Sequence, residues 1–353
     1  MRSALGVSTG RSGNDGGVSL PPFACIGGLW ASELELISHD PSMLDTPGRW
    51  VVVLPYDGRA SFLRFGLWGS DRPDWIRDKW HGPARDDWST SLDEAQYCAA
   101  VESTREAIAR GDVYQANICR VLSAVTDESR SLLGLFDRLL AGNPAPFASI
   151  VHVPDAGLEI VSASPELFLR RAGSALSSGP IKGTGRTEGD LLAKDSAENI
   201  MIVDLVRNDL SRVCLAGSVE VPRLLDVELH PGLVHLVSEV SGTLEPHTTW
   251  ASILDATFPP GSVTGAPKSS ALRIIDEQET SSRGLYCGAL GWIDHDVAQG
   301  ELAVTIRTFW REGSLLRFGT GAGITWESDP RSEWRETELK ARRLVDLASE
   351  GES

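Results

Sequence analysis

The chain has 353 residues, 41% hydrophobic and 23% charged, enough for a large buried core in one big domain or two lobes. Its 33 basic and 49 acidic residues give a net charge of -16, a field that repels polyanions and argues against nucleic acid as a partner. The chain has no apolar run of about eighteen residues or more, so neither a spanning helix nor a membrane partner is expected.

Residues 1–20 are rich in Gly and Ser, without a long apolar segment or a small-residue cleavage site. They read as a flexible leader rather than a secretory signal. The cysteines, Cys25, Cys98, Cys119, Cys214 and Cys287, are odd in number and form no C-x-x-C pair. That fits packed thiols in a reducing, cytoplasmic compartment better than disulfides or structural zinc.

Residues 21–90 form a short strand-rich part, with the apolar runs RWVVVLPY and SFLRFGLW set between turn residues. The main domain is expected over 91–350. Ser91 and Glu94 have capping-box spacing and predict a helix that Gly111 ends. A strand (VYQANICRVLSAV), a helix (SLLGLFDRLLAG) and strands around ASIVHV, LEIVSASPELFLRR and SALSSGPIKG follow. A helix over about 193–212 is apolar on most sides and should be well buried. Two strands, a helix after Pro267, and further strands lead to a last helix, for which Asp329 is the cap and Pro330 the first position. Many strands mixed with long helices, without regular βαβ alternation, indicate an α+β fold.

Several residues could carry chemistry. Lys182 lies in the apolar-glycine segment PIKGT. An ordinary amine of pKa about 10.4 is less than about one part in a thousand free base at neutral pH. Burial or a nearby cation would free it as a nucleophile; alternatively it binds an anion beside a glycine turn. Glu333, Glu336 and Lys340 share one face of the last helix, and Asp195 and Glu198 are spaced i, i+3 on the helix near 198. Carboxylates from two helices could share one Mg²⁺, whose ligands are oxygens, although Glu336 and Lys340 also make an ordinary i, i+4 pair. The glycines of Gly319-Thr320-Gly321-Ala322-Gly323 leave backbone N–H groups open to an anion. Arg307 could grip a carboxylate. Glu166 is a general-acid candidate if its pKa is raised. His235 and Cys287 read as packed core residues.

Together, GDVYQANICR (111–120), SASPELFL (162–169), GPIKGTGR (179–186), AENIMIVDLVRNDLSRV (197–213), HLVSEVSGTL (235–244), FPPGSVTGAPK (258–268), RGLYCGALGW (283–292), IRTF (306–309) and GTGAGITWESDPRSEWRETELKA (319–341) run in the order of one family. The chain resembles the chorismate-utilising enzymes, which include anthranilate synthase component I, aminodeoxychorismate synthase component I, isochorismate synthases and salicylate synthases. The resemblance implies two facing antiparallel β-sheets with helices outside and the site in the central cleft. It implies Glu198 and Glu336 as Mg²⁺ ligands, with Glu333 beside them. Arg307, Tyr286, Gly321 and Gly323 would hold the enolpyruvyl carboxylate. Gly183 and Thr184 would line the ring, with Ser262, Thr264 and Lys340 among the substrate contacts. Glu166 would be the general acid, and His235 a site histidine.

Two positions bear on subfamily. Water-adding relatives carry lysine where this chain has Gln115. Aminodeoxychorismate synthases carry lysine in P-I-K-G-T, where anthranilate synthases carry alanine. The resemblance therefore implies amination of chorismate at C4, giving 4-amino-4-deoxychorismate for 4-aminobenzoate and folate. Its ammonia would come from solution or from a separate glutamine amidotransferase subunit. The alternatives are C2 amination, as in anthranilate or 2-amino-2-deoxyisochorismate synthases, or a catalytically silent amidotransferase-binding subunit.

Overall fold

The computed structural model describes residues 20–185, 189, 193–230 and 233–349; the side chains of 184, 185, 193–195, 229, 230, 233 and 235 lie outside the description. Most of the expected leader and Arg186-Thr187 also lie outside the described residues. The first strands are β1 (Phe23–Ile26), β2 (Leu29–Ser38), β3 (Arg49–Leu54), β4 (Ser61–Gly69) and the short β5 (Ser89–Thr90). Helix α1 (Glu94–Ala109), strand β6 (Gln115–Val125) and helix α2 (Leu133–Gly142) come next. Strands β7 (Phe147–Val153), β8 (Leu158–Ser164), β9 (Leu167–Ala172), β10 (Ala175–Gly179) and β11 (Ile181–Gly185) lead into helix α3 (Ala193–Ser211). Then follow β12 (Glu220–His230), β13 (Leu233–Thr243), α4 (Trp250–Thr257), β14 (Gly265–Ala266) and α5 (Lys268–Gln278). Strands β15 (Ala289–Asp294), β16 (Gln299–Val304), β17 (Thr308–Glu312) and β18 (Leu315–Ile324) precede α6 (Pro330–Ala348).

The α+β mixture is as expected, and every strand pairing is antiparallel. The pairing does not divide the strands into two sheets. It runs unbroken as β6–β18–β17–β8–β7–β1–β2–β4–β3–β15–β16–β9–β10–β13. At one end β13 also pairs with β11 and β12, and at the other β6 pairs with β5 and β14. The ladder curls until its ends meet: Lys182 of β11 reaches the turn just before β14.

Local sequence explains the helix ends, with one correction. The cap of α1 is Asp93, not Ser91: its carboxylate accepts from Gln96 N, and the Gln96 side chain accepts from Asp93 N. The Ser91 hydroxyl instead accepts from Val121 N on β6. Asp329 caps α6 with Pro330 at the first position, as the sequence predicts. Among its described side chains, helix α3 is buried on one side rather than on most sides. Ile202, Val203, Val206 and Leu210 enter the core, while Ile200 is 50% exposed. Helix α4, which sequence reading passed over, has Thr249 as its cap and buries Trp250, Ile253 and Leu254, a legible i, i+3, i+4 stripe.

The largest core cluster includes Trp50, Phe62, Leu169, Val206, Trp250 and Leu302. A second lies between α2, α6 and β7, β8 and β17, and a third between α1, α5, β6 and β18. Between β8 and β9, and again between β16 and β17, the chain leaves one part of the ladder for a distant part. The two crossovers lie side by side. Val304 N donates to Glu166 O at 3.0 Å, Ala163 N to Arg307 O at 3.0 Å, and the Ser164 hydroxyl to Val304 O at 2.6 Å. Two candidate residues far apart in sequence are thereby fixed at one place.

Candidate active site

Glu166 is buried at this crossing, 4% exposed. The Ser262 hydroxyl and Ile181 N–H lie near enough to its carboxyl to favour the charged form, and the Lys182 and Arg307 cations lie within electrostatic reach. Burial pushes its pKa above the ordinary carboxylate value, against the smaller opposing pull of those partners. Arg307 is itself lowered by burial and supported by Glu166. Its φ of 53° is left-handed, as is that of Cys287 at 67°. Such conformations cost of order 1–3 kcal/mol in a non-glycine residue and persist where surrounding structure enforces them.

Lys182 comes from β11 and is partly buried. Its Nζ donates to Ser262 O at 3.2 Å. Gly183, with φ of 77°, is the extra residue of a bulge between Lys182 and Thr184, a conformation that suits glycine. The Thr184 backbone pairs with His235, while both side chains lie outside the described residues. Ser262 lies in a 3₁₀ turn, Gly261–Val263, ahead of β14. Thr264 is fully buried, and its hydroxyl donates to Pro260 O and Gly261 O. It shapes the turn that presents Ser262.

Gln115 pairs with Ala266 of β14, and its Nε2 donates to Glu198 Oε2 at 3.4 Å, so β6 and α3 meet here. Gln115 is 2% exposed, and its Oε1 has no partner among the described residues. The glycines of β18 have a specific steric purpose. A Cβ on Gly319 would stand 2.0 Å from Tyr286 Cγ, and one on Gly323 would stand 2.2 Å from Gln115 Nε2. A Cβ on Gly321 would meet Ile118 O at 2.6 Å. These glycines therefore make room for the Tyr286 ring and the Gln115 amide, a use the anion-cradle expectation did not include. Tyr286 is buried, which raises its phenol pKa well above the ordinary value.

From α6, Glu333 is buried and Glu336 is exposed. Lys340 Nζ bridges Glu336 Oε1 at 2.6 Å and Gly321 O at 3.0 Å. The ordinary i, i+4 pair is thus present, and it also ties α6 to β18. Glu198 also reaches that strand, with Oε2 3.4 Å from a Cβ on Gly323. Among the described residues no three His, Cys, Asp or Glu side chains form a ready metal cage. The donor set still suits Mg²⁺, which takes one or two carboxylates and fills its remaining positions with water and substrate oxygens.

Two features were not read from sequence. Arg283 and Glu279 form a buried pair at 2.6 Å. Arg283 also donates to Val263 O and Asn117 O, and Glu279 accepts from Cys119 N. The pair lines a cleft of about 600 Å³ with Tyr56, Asp57, Asp276 and Ser282; none of the expected site residues lines it. Their i, i+4 spacing was the available signal. The second feature is Asp209, which pairs with Lys268 at 2.7 Å and lines a small cavity with Glu166 and Ser262.

The family profile described as chorismate binding enzyme matches residues 76–346. The anthranilate synthase component I-like protein of Synechocystis is 38% identical over 268 residues, 72% of this chain and 54% of the relative. Aminodeoxychorismate synthase component 1 of Bacillus subtilis is 36% identical over 276 residues, 73% of this chain and 57% of the relative. The chain thus spans little more than half the length of these relatives. In fold it is similar to anthranilate synthase component I of Streptococcus pneumoniae, with TM-score 0.75, 24% identity, and 93% and 91% of the two chains covered. It is also similar to the menaquinone-specific isochorismate synthase of Escherichia coli, with TM-score 0.77, 18% identity, and 94% and 89% covered.

Proposed function

The chain belongs to the chorismate-binding enzymes, and from that premise we propose that it aminates chorismate at C4 to give 4-amino-4-deoxychorismate. The observation that carries this reading is Lys182 held against Ser262 O, with the Ser262 side chain and Lys182 itself near the Glu166 carboxyl. A nucleophile and an acid therefore stand on one turn. The Lys182 amine, as free base, adds at C2 of the ring while the C4 hydroxyl departs. Glu166 gives that hydroxyl a proton, so it leaves as water. Ammonia then forms the new bond at C4, and the electron pair shifts back to expel the Lys182 amine. The sum is chorismate plus ammonia to aminodeoxychorismate plus water.

Chorismate carries two carboxylates, and the chain is strongly acidic overall. Binding therefore needs local cations. Arg307 would take the enolpyruvyl carboxylate beside Tyr286 and the β18 backbone. Glu198 and Glu336, with Glu333 adjacent, would hold a Mg²⁺ ion that neutralises the ring carboxylate when bound. Gln115 supports ammonia rather than water as nucleophile, because a neutral amide cannot act as a lysine base. A glutamine amidotransferase partner would supply the ammonia.

Purified protein with chorismate, Mg²⁺ and an ammonium salt tests the reading, with a lyase added to release 4-aminobenzoate. Formation of 4-aminobenzoate is expected. Anthranilate or 2-amino-2-deoxyisochorismate instead would transfer the assignment to C2 amination, and no turnover at any ammonia concentration would leave a silent binding subunit.

A further inference from the structure

Glu166 has a second neighbour that the proposed reaction does not use. It lines a small cavity with Ser178, Asp209, Thr257 and Ser262. All five residues are 8% exposed or less. The interior leaves about 10 Å³ for the centre of a water-sized sphere, the room of about one water molecule. Its polar lining offers the several partners such a water needs. The turn that separates Asp209 from Glu166 is short. A Cβ on Gly261 would stand 4.0 Å from Asp209 Oδ2, and the next residue, Ser262, has its side chain near the Glu166 carboxyl.

Asp209 is not isolated from solvent. Lys268 Nζ is 2.7 Å from its Oδ2 and also donates to Thr257 O at 3.2 Å, with the Lys268 side chain 20% exposed. Two buried carboxyls therefore share one cavity, and the outer one has a route to water.

We propose that a single water in this cavity passes a proton from Asp209 to Glu166 between turnovers, so that Asp209 keeps the general acid loaded. The inference rests on the acid role given to Glu166 above. Glu166 loses its proton to the departing hydroxyl. The cavity water gives a proton to the Glu166 carboxylate and takes one from the Asp209 carboxyl. Asp209 recovers its proton from solvent beside Lys268, and the water is unchanged. Asp209 acts through Glu166 and is a positioning residue for its proton. The charged groups facing the two carboxyls are Lys182 and Arg307 at Glu166, and Lys268 and Arg212 at Asp209. Burial raises both carboxyls above their ordinary values, with Lys268 the main opposing influence at Asp209.

The test compares wild type with Asp209→Asn by rapid mixing and in steady state. The first turnover should proceed at the wild-type rate, because Glu166 starts protonated. Later turnovers should slow by about 10²-fold, the low end of what proton transfer by a positioned side chain contributes. The solvent isotope effect on kcat should rise while KM for chorismate holds. A first turnover slowed as much as the later ones would overturn the relay, as would an unchanged kcat and isotope effect. The double variant Asp209→Asn/Lys268→Met removes the unpaired lysine and should behave like the single variant; wild-type steady-state turnover in it would also overturn the relay. A separate readout needs no turnover. The infrared carboxyl band of Glu166, assigned with Glu166→Gln, should shift in resting Asp209→Asn protein. If wild type does not aminate chorismate, the proposed function fails, and a missing band shift then overturns the relay on its own.

Discussion

Lys182 Nζ and Ser262 O stand 3.2 Å apart, although one belongs to β11 at one end of the strand ladder and the other precedes β14 at the opposite end. This contact closes the curl and sets an amine beside a buried acid. The two roles that an ammonium can have here, charge or nucleophile, differ in what a substitution removes.

Lys182→Arg keeps the charge and loses the nucleophile. If Lys182 adds to the ring, both Lys182→Arg and Lys182→Ala should reduce C4 amination to background while chorismate still binds. A purely electrostatic lysine would lose only about 10²- to 10³-fold in Lys182→Ala and be partly restored by arginine. Product formation followed by mass, with binding followed by calorimetry, separates the outcomes.

Glu166→Gln should cost about 10²- to 10⁴-fold in kcat, the usual scale for a lost general acid. The acid works protonated, so wild-type activity should fall as pH rises through the Glu166 pKa, which burial moves above the ordinary carboxylate value. The stability effect has the same sign. The folded state holds this proton more tightly than the unfolded chain. The related stability is complete below the unfolded pKa and is lost as pH rises through the folded one. Glu166→Gln should lack that slope in denaturant titrations repeated across pH.

Gly319→Ala should destabilise by about 1–3 kcal/mol, the range for overpacking a filled site, since its Cβ would stand 2.0 Å from Tyr286 Cγ. Urea unfolding measures the loss. A displaced Tyr286 should also raise KM for chorismate, whereas an unchanged KM would remove Tyr286 from the substrate pocket.

Arg283→Met should cost about 3–5 kcal/mol, because it leaves a buried carboxylate unpaired. Glu279 is 6% exposed in its side chain, and its other bonds tie down Cys119 N. Arg283→Met/Glu279→Leu should recover much of the loss in thermal unfolding.

Part of this molecule was legible from short stretches. The start of α6 followed from Asp329 and Pro330, because a cap is a local bond between a side chain and a nearby N–H. The start of α1 was placed two residues early, because Ser91 and Asp93 are both competent caps. Only the β6 strand, which uses the Ser91 hydroxyl for Val121 N, separates them. The burial of α3 was overestimated because Ile200 is apolar yet exposed, and composition does not say which face meets a sheet.

The sequence by itself determined the family, since long segments such as FPPGSVTGAPK and GTGAGITWESDPRSEWRETELKA run in a fixed order. It also supplied Lys182, Glu166, Gln115, Glu198 and Arg307 as residues worth watching. Only the tertiary structure decided which of them meet. Two chain crossovers set Glu166 beside Arg307, the closing curl brought Lys182 to Ser262, and β18 has glycines where Tyr286 and Gln115 need the space. The Asp209–Lys268 and Glu279–Arg283 pairs were settled there too. The physical reason is range: caps and spacings act within a helical turn, whereas burial, desolvation and close approach depend on segments far apart in the chain being folded onto one another.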